Sequence, residues 1–329
     1  MGTHQRSRHG AQGSGNRAVL GDLRITRQQE VVSGRPIDLN DAHATVDLFE
    51  SAAEAMRSAQ HRRDSIVELP SDGRLLITGD LHDHLDHWYR ILHLARLDED
   101  PTRHVVLQEL IHGDRLLNGM DFSYRMLGRV AELVLAHPDQ VHVILGNHEL
   151  SQLTRRAVSK GAGNNVELFQ DAVDWVFGDD ADDVTAAIES FIAAMPLAVR
   201  TAGGLLCTHS LPAADRMGGF EPEILERTLE PIDYEGSGSS IYLLTWGRRH
   251  EPDQLDALAD RWGVKTFCIG HQSVPEGIRR DGPRLVAINS DKVNGMVIDW
   301  PLDREPEPEA LIEASIHLQS ITTGPRGAM

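Results

Sequence analysis

The sequence predicts an α/β fold, on three observations. Short apolar runs rich in β-branched residues alternate with amphipathic helical stretches between residues 74 and 300. Five of these runs are followed at once by carboxylate, amide or imidazole side chains: Gly79-Asp80-Leu81-His82, Gln108-Glu109, Gly146-Asn147-His148-Glu149, Thr208-His209 and Gly270-His271. Several of the loops open on glycine, which lets the backbone turn tightly where a strand ends. A buried strand that hands polar groups to the loop behind it is how an α/β sheet builds a site at its edge.

The elements follow in order. Residues 1–20 are rich in Gly, Ser, Arg, His and Gln without periodicity and are expected to be disordered. Residues 21–70 are expected to form an N-terminal helical extension. Its helix spans Asn40 to Arg63, with an apolar stripe through Ala44, Leu48, Phe49, Ala52 and Met56 and a cap at Asp41 or Asn40. The main domain is placed at 71–300. Its strands are predicted at Arg74–Thr78, His104–Leu107, Gln140–Leu145 and Thr266–Ile269, and its helices at His84–Leu97 and Ser123–His137, with another entered near Leu150. A helical insertion at about 161–195 comprises Val166–Phe177 and Ala181–Ala194 and reads as a cap over substrate access. Leu197–Thr201 and Leu205–Thr208 form a hairpin across Gly203-Gly204. Glu221–Leu229 and Leu255–Trp262 are read as helical, and Arg284–Asn289 and Gly295–Trp300 as two final antiparallel strands. Residues 301–329 are left as a Pro/Glu-rich tail.

The chain has 329 residues, 40% hydrophobic and 25% charged, enough for a sizeable core. A formal charge of −18 argues against nucleic acid or an anionic membrane as the main partner. No apolar stretch approaches a membrane span, and the N-terminus has no hydrophobic leader region. Both cysteines, Cys207 and Cys268, lie inside predicted strands without CxxC spacing, which argues against a thiolate zinc site. Buried thiols fit a reducing, cytoplasmic setting.

The donors on the five loops are all oxygen and nitrogen. Hard and borderline donors converging from separate strands imply a two-metal hydrolytic site. At this point the chain resembles the calcineurin-like metallophosphoesterases, above all the Ser/Thr phosphoprotein phosphatases and their bacterial relatives. Gly79-Asp80-x-His82 resembles the family's GDxH motif, and Gly146-Asn147-His148-Glu149 reproduces its GNHE. Thr208-His209 and Gly270-His271 stand where two later His motifs belong. Tyr242–Arg248 is similar to a Trp-containing segment between them. The resemblance implies a four-layer α/β/β/α sandwich of two mixed sheets flanked by helices. It implies two divalent ions (Mn, Fe or Zn), with Asp80 and His82 on the first and Asn147, His209 and His271 on the second.

The second family motif, GDxxDRG, is altered here to Gln108-Glu109-Leu110-Ile111-His112-Gly113-Asp114-Arg115. Alignment at the strand end makes Glu109 the bridging ligand and sets His112 where the family has an Asp that orients the catalytic His. Alignment on Gly113-Asp114-Arg115 makes Asp114 the ligand. The strand-end register is preferred, because Glu109 follows its apolar run much as Asp80 does. His148 is the candidate general acid, with His112 or Asp114 as its partner. Arg115 and Arg248, with Asn147, are candidates for gripping phosphate, and Arg155 and Arg156 are further options. Asp83 is a candidate acceptor for a ligand His.

The expected reaction is attack of a metal-bound hydroxide on a phosphate monoester. The expected substrate is a phosphorylated protein. The alternatives are a nucleotide or dinucleoside polyphosphate, or a phosphate-binding scaffold with weak turnover.

Overall fold

The apolar runs become strands because each buries both of its faces. The computed structural model describes residues 1–2, 37–157 and 164–322, and these runs assemble there into two mixed sheets. One contains β1 (Arg62–Arg63), β2 (Ile66–Leu69), β6 (Ala198–Thr201), β7 (Leu205–Thr208), β8 (Thr266–Ile269), β9 (Ile278–Arg280) and β10 (Leu285–Ile288). Its order is β1-β2-β6-β7-β8-β10-β9. The other contains β3 (Arg74–Asp80), β4 (Arg103–Gln108), β5 (Val141–Ile144), β11 (Met296–Pro301) and β12 (Ser315–His317), in the order β12-β11-β3-β4-β5. Strands β3, β4 and β5 run parallel, and so do β7, β8 and β10.

Side-chain alternation sorts these strands into layers. Leu75 and Ile77 of β3, Val106 of β4, Ile144 of β5, Leu205 and Cys207 of β7 and Cys268 of β8 face one another in the space between the sheets. Leu76, Val105, Leu107, Val143, Leu206, Phe267 and Ile269 point the other way, into helices. Those helices are α1 (Ala42–Ser58), α2 (Leu85–Ala95), α3 (Tyr124–Ala136), α4 (Asn147–Leu153), α5 (Asn165–Phe177), α6 (Ala181–Ala193), α7 (Ser240–Trp246), α8 (Pro252–Trp262) and α9 (Pro308–Glu313). The result is the expected four-layer α/β/β/α sandwich. No helix among the described residues is long and apolar enough to cross a membrane.

Helix α1 is held at its start by Asp41, whose carboxylate accepts the Ala44 N–H at 2.8 Å. Leu48, Phe49, Ala52, Ala53 and Met56 bury its inner stripe against α3 and α6. The hairpin expected across Gly203-Gly204 is present: β6 and β7 pair antiparallel, with Gly204 in a left-handed turn at φ +96°.

Several expectations are corrected. The final two predicted strands do not pair: β10 lies beside β8 and β9 in one sheet, while β11 lies between β3 and β12 in the other. Both were apolar and adjacent in sequence, and the loop between them changes sheets. The presumed tail 301–329 contributes α9, which buries Leu311, and β12, which is followed by fully buried Leu318. Pro222–Glu226 is a short 3-10 turn, not a longer helix, and α4 starts at Asn147 rather than Leu150. Residues 3–36, 158–163 and 323–329 lie outside the described residues, including most of the N-terminal segment expected to be disordered.

Candidate metal centre

Parallel strands deliver their C-terminal ends to one edge, and there the two sheets meet. Asp80 at the end of β3 bridges to Asn289 just beyond β10. The loops behind β3 and β4 are stitched together by backbone bonds: Leu81 and His82 donate to the Glu109 carbonyl at 3.0 and 2.8 Å, and Asp83 donates to the Leu110 carbonyl at 2.8 Å. This stitching holds the chain in left-handed conformations at His82 (φ +44°), Asp83 (+53°), Glu109 (+48°) and His112 (+59°), and His271 (+61°) joins them from the second sheet. Such backbone costs about 1–3 kcal/mol per non-glycine residue and persists where surrounding structure over-determines it. Glycine is required where another loop presses in. A Cβ on Gly270 would lie 2.4 Å from Asp80 Oδ1 and 2.5 Å from Gln108 Oε1.

Glu109 lies at the centre of the site. Its Oε1 is 3.7 Å from His82 Nε2 and 3.6 Å from His148 Nε2, and its Oε2 is 3.2 Å from His209 Nε2. The ligand atoms of His82, Glu109 and His148 fall within 4.8 Å of one another, and so do those of Glu109, His209 and His271. One buried carboxylate is thus common to two donor groups. Asn147, on the first residue of α4, points Oδ1 at His209 Nε2 (2.8 Å) and His271 Nδ1 (2.7 Å). Asp80 Oδ1 accepts the His271 N–H at 2.8 Å and lies 3.9 Å from His209 Nδ1.

The donor chemistry fits a cation. Gln108 donates its amide N–H to the Thr78 carbonyl at 2.7 Å, so its Oε1 accepts from His209 Nδ1 at 2.9 Å. That fixes the proton of His209 on Nδ1 and leaves Nε2 as a lone pair. The lone pair then faces Asn147 Oδ1 and Glu109 Oε2, which are both acceptors. Three acceptors aimed at one point want a positive charge between them. Burial holds the His209 imidazole well below its usual pKa, with His271 nearby adding to the effect. Burial, followed by the Arg248 guanidinium, pushes His271 down to about 3. Both rings are therefore neutral, as metal ligation requires.

The structure also separates expected residues from this cluster. Asp114 is not in it: its side chain is 77% exposed and lies 4.0 Å from Lys292. The chain turns outward after Gly113, so the second alignment does not bring its carboxylate inward. Arg115 is half-exposed at the rim and donates to Asp83 at 2.9 Å, so Asp83 serves that arginine. Burial raises the Asp83 pKa and Arg115 opposes it. Arg248 donates to the His271 carbonyl at 3.1 Å and stays exposed beside the site. Arg155 is turned away to Glu189.

Gln108 and Glu149 stand in the donor loops without a role read from the sequence, and Asp121 was not singled out there at all. Gln108 orients His209. Glu149, fully buried, accepts the Leu110 and Ile111 N–H groups at 2.7 and 3.3 Å and so shapes the Glu109 loop; burial raises its pKa. Asp121 accepts from His112 Nδ1 at 2.8 Å. Its one sequence signal is the Asp-x-Ser spacing before α3, where Asp121 Oδ1 takes the Ser123 N–H at 2.9 Å.

Comparison with known proteins places the chain in a family. The calcineurin-like phosphoesterase family profile matches residues 73–275. A probable serine/threonine-protein phosphatase of Encephalitozoon cuniculi is 26% identical over 275 residues, which are 80% of this chain and 55% of that one. The chain thus spans about half the length of that relative. A solved serine/threonine phosphatase of Saccharomyces cerevisiae, described as similar to human phosphatase PP5, superposes with a TM-score of 0.58 at 16% identity, over 79% of this chain and 82% of its own. A cold-active protein-tyrosine phosphatase of a psychrophilic Shewanella gives 0.48 at 12% identity, over 78% and 84%. The family match covers every donor loop from Asp80 to His271, and the chain is therefore a member of the calcineurin-like phosphoesterases, hydrolases of phosphate esters.

Proposed function

We propose that the protein is a dinuclear metal-dependent phosphomonoesterase whose substrate is a Ser/Thr phosphoprotein. The observation that carries the dinuclear reading is the Glu109 carboxylate, with one oxygen toward His82 and His148 and the other toward His209. Paired divalent cations, of the manganese, iron or zinc kind, supply Lewis acidity, acidify water and neutralise charge on the phosphate. Asp80, His82, Glu109, Asn147, His209 and His271 are the residues that would hold them. His148, with Nε2 turned into the site, gives its proton to the leaving oxygen, a step worth about 10²–10⁴-fold. Arg248, fixed through the His271 carbonyl, and Arg115 at the rim present guanidinium groups to phosphate oxygens. The phosphoprotein assignment is supported by the name of the Encephalitozoon relative. Paired thiols at Cys207 and Cys268, adjacent in register, suit a reducing compartment.

A second substrate reading has its own support. Tyr242 and Trp246 stack with ring centres 5.6 Å apart, Arg156 lies over Tyr242, and the Trp246 ring stands 5.9 Å from His271. With a cavity of about 130 Å³ beside them, they suit a nucleobase as well as a peptide side chain. Elemental analysis combined with a phosphatase panel tests both. Two metals per chain and turnover of phosphopeptides, lost in His148→Ala and Asn147→Ala, is the expected result. Preference for dinucleoside polyphosphates replaces the substrate. Tight phosphate binding without turnover under any metal removes the enzyme reading of the site.

A further inference from the structure

The segment between β4 and α3 contains a buried pair that the reaction above does not yet use. Asp121 and His112 are 2% and 1% exposed, and Asp121 Oδ2 meets His112 Nδ1 at 2.8 Å. The pair is held from all sides. The Asp121 N–H donates to the Leu168 carbonyl at 2.9 Å, and its Oδ1 takes the Ser123 N–H. The His112 N–H donates to Ser123 Oγ at 3.1 Å, and Phe169 meets the imidazole edge-on at 5.7 Å between ring centres. Helix α5, part of the insertion, thus backs this pair directly.

A carboxylate only accepts, so the proton of neutral His112 sits on Nδ1. Its Nε2 is then a lone pair. That atom is buried and has no hydrogen-bond partner among the described residues. A buried acceptor left without a donor costs about 1–3 kcal/mol, so its retention needs a reason. The His148 ring lies 5.4 Å away and is tilted 54° to it. His148 already presents Nε2 to Glu109, so Nδ1 is the edge it can offer to His112.

We infer that Asp121 is a positioning residue for proton donation: it holds His112 in the Nδ1–H form, so that His112 Nε2 orients the His148 ring toward the leaving group. The inference rests on His148 acting as the proton donor. When the phosphorus–oxygen bond breaks, its electron pair stays on the leaving oxygen, which takes the proton from His148 Nε2. His148 ends neutral, with Nδ1–H toward His112, and neither His112 nor Asp121 gains or loses a proton. The arrangement follows the logic of a carboxylate that fixes a catalytic imidazole, with a second imidazole interposed.

The test separates orientation from mere support. Asp121→Asn keeps an acceptor for the Ser123 N–H but lets the His112 tautomer invert. Proton donation matters most for a poor leaving group, so kcat on a phosphoserine peptide or an alkyl phosphate should fall about tenfold or more. kcat on p-nitrophenyl phosphate should fall far less, with KM and bound metal unchanged. His112→Ala should show the same asymmetry, and His112→Gln, whose amide oxygen can accept, should recover part of it. An equal loss on both leaving groups, or none, overturns the inference. A readout independent of turnover is nitrogen NMR of the histidine side chains in the zinc-loaded protein. It should find the His112 proton on Nδ1, moving to Nε2 in Asp121→Asn. A proton on Nε2 in the wild type overturns the inference even if no substrate is turned over.

Discussion

At the scale of single residues, one amide controls one imidazole. Gln108 can serve His209 only because its own N–H is committed to the Thr78 carbonyl. Gln108→Leu removes that constraint while keeping the strand apolar, and His209 is then free to place its proton on Nε2. Loss of an outer partner of this kind costs about 10–100-fold in metal affinity. Titration against a chelating dye should show that loss with unchanged secondary structure. Gly270→Ala belongs to the same scale: its new methyl meets Asp80 Oδ1 and Gln108 Oε1, and the variant should fold but fail to bind metal. The sequence made Asp80, Asn147, His209 and His271 visible because each stands at the end of a strand or within three residues behind it. Gln108 could be quoted but not interpreted, since its role depends on which way an amide turns in space. Asp121 follows no strand, and its partner His112 is named only by the fold.

Elements show why motif and topology are separately legible. The apolar runs announced their strands, because burial on both faces needs β-branched residues in both alternating sets. Which sheet each strand joined was less visible. β10 and β11 are apolar neighbours in sequence, yet they lie in different sheets, and β11 is recruited by β3 and β12. The starts of β4 and β5 carry a feature of their own. His104 Nδ1 and His142 Nε2 lie 3.2 Å apart, with the rings stacked at 5.3 Å. Burial pushes His104 down to about 4 and holds His142 well below its usual value of 6.5. The sign follows directly. Unfolded histidines take up protons as pH falls through about 6.5, whereas folded His104 does not until about 4 and folded His142 is also held well below 6.5, so stability declines as pH falls below about 6.5. The urea midpoint should therefore drop between pH 7.5 and pH 5, about the range in which only histidines titrate strongly. The doubly substituted His104→Gln, His142→Gln protein should show a flatter pH dependence. Equal slopes in the two proteins would remove the pair as the cause. At the far end of α1, Asp41→Ala should cost about 1 kcal/mol through the lost cap, read as a lower midpoint.

Across the whole molecule the site exists only because two sheets meet at one edge. Asp80, Glu109 and Asn147 come from one sheet's strand ends, His209 and His271 from the other's, and the Asp80–Asn289 bridge closes the seam. Ions held at the proposed centre would therefore clamp the two layers together, as well as supply reactivity. A ligand that binds the folded chain alone stabilises it by RT ln(1 + [L]/Kd), about 2.7 kcal/mol at a concentration one hundred times Kd. At roughly 2–4 °C per kcal/mol for a domain of this size, that corresponds to a rise in Tm of roughly 5–10 °C. Chelation should lower Tm by that amount, and manganese or zinc should restore it. Asn147→Ala, which removes the oxygen set between His209 and His271, should show a much smaller response. Gln319→Ala is a useful contrast, because the Gln319 side chain bonds His87 and Arg90 on α2, neither of which is a proposed ligand. Its metal-induced rise should match the wild type. If the wild type and Asn147→Ala melt alike with and without metal, the ions do not join the two sheets, and the centre must be placed elsewhere.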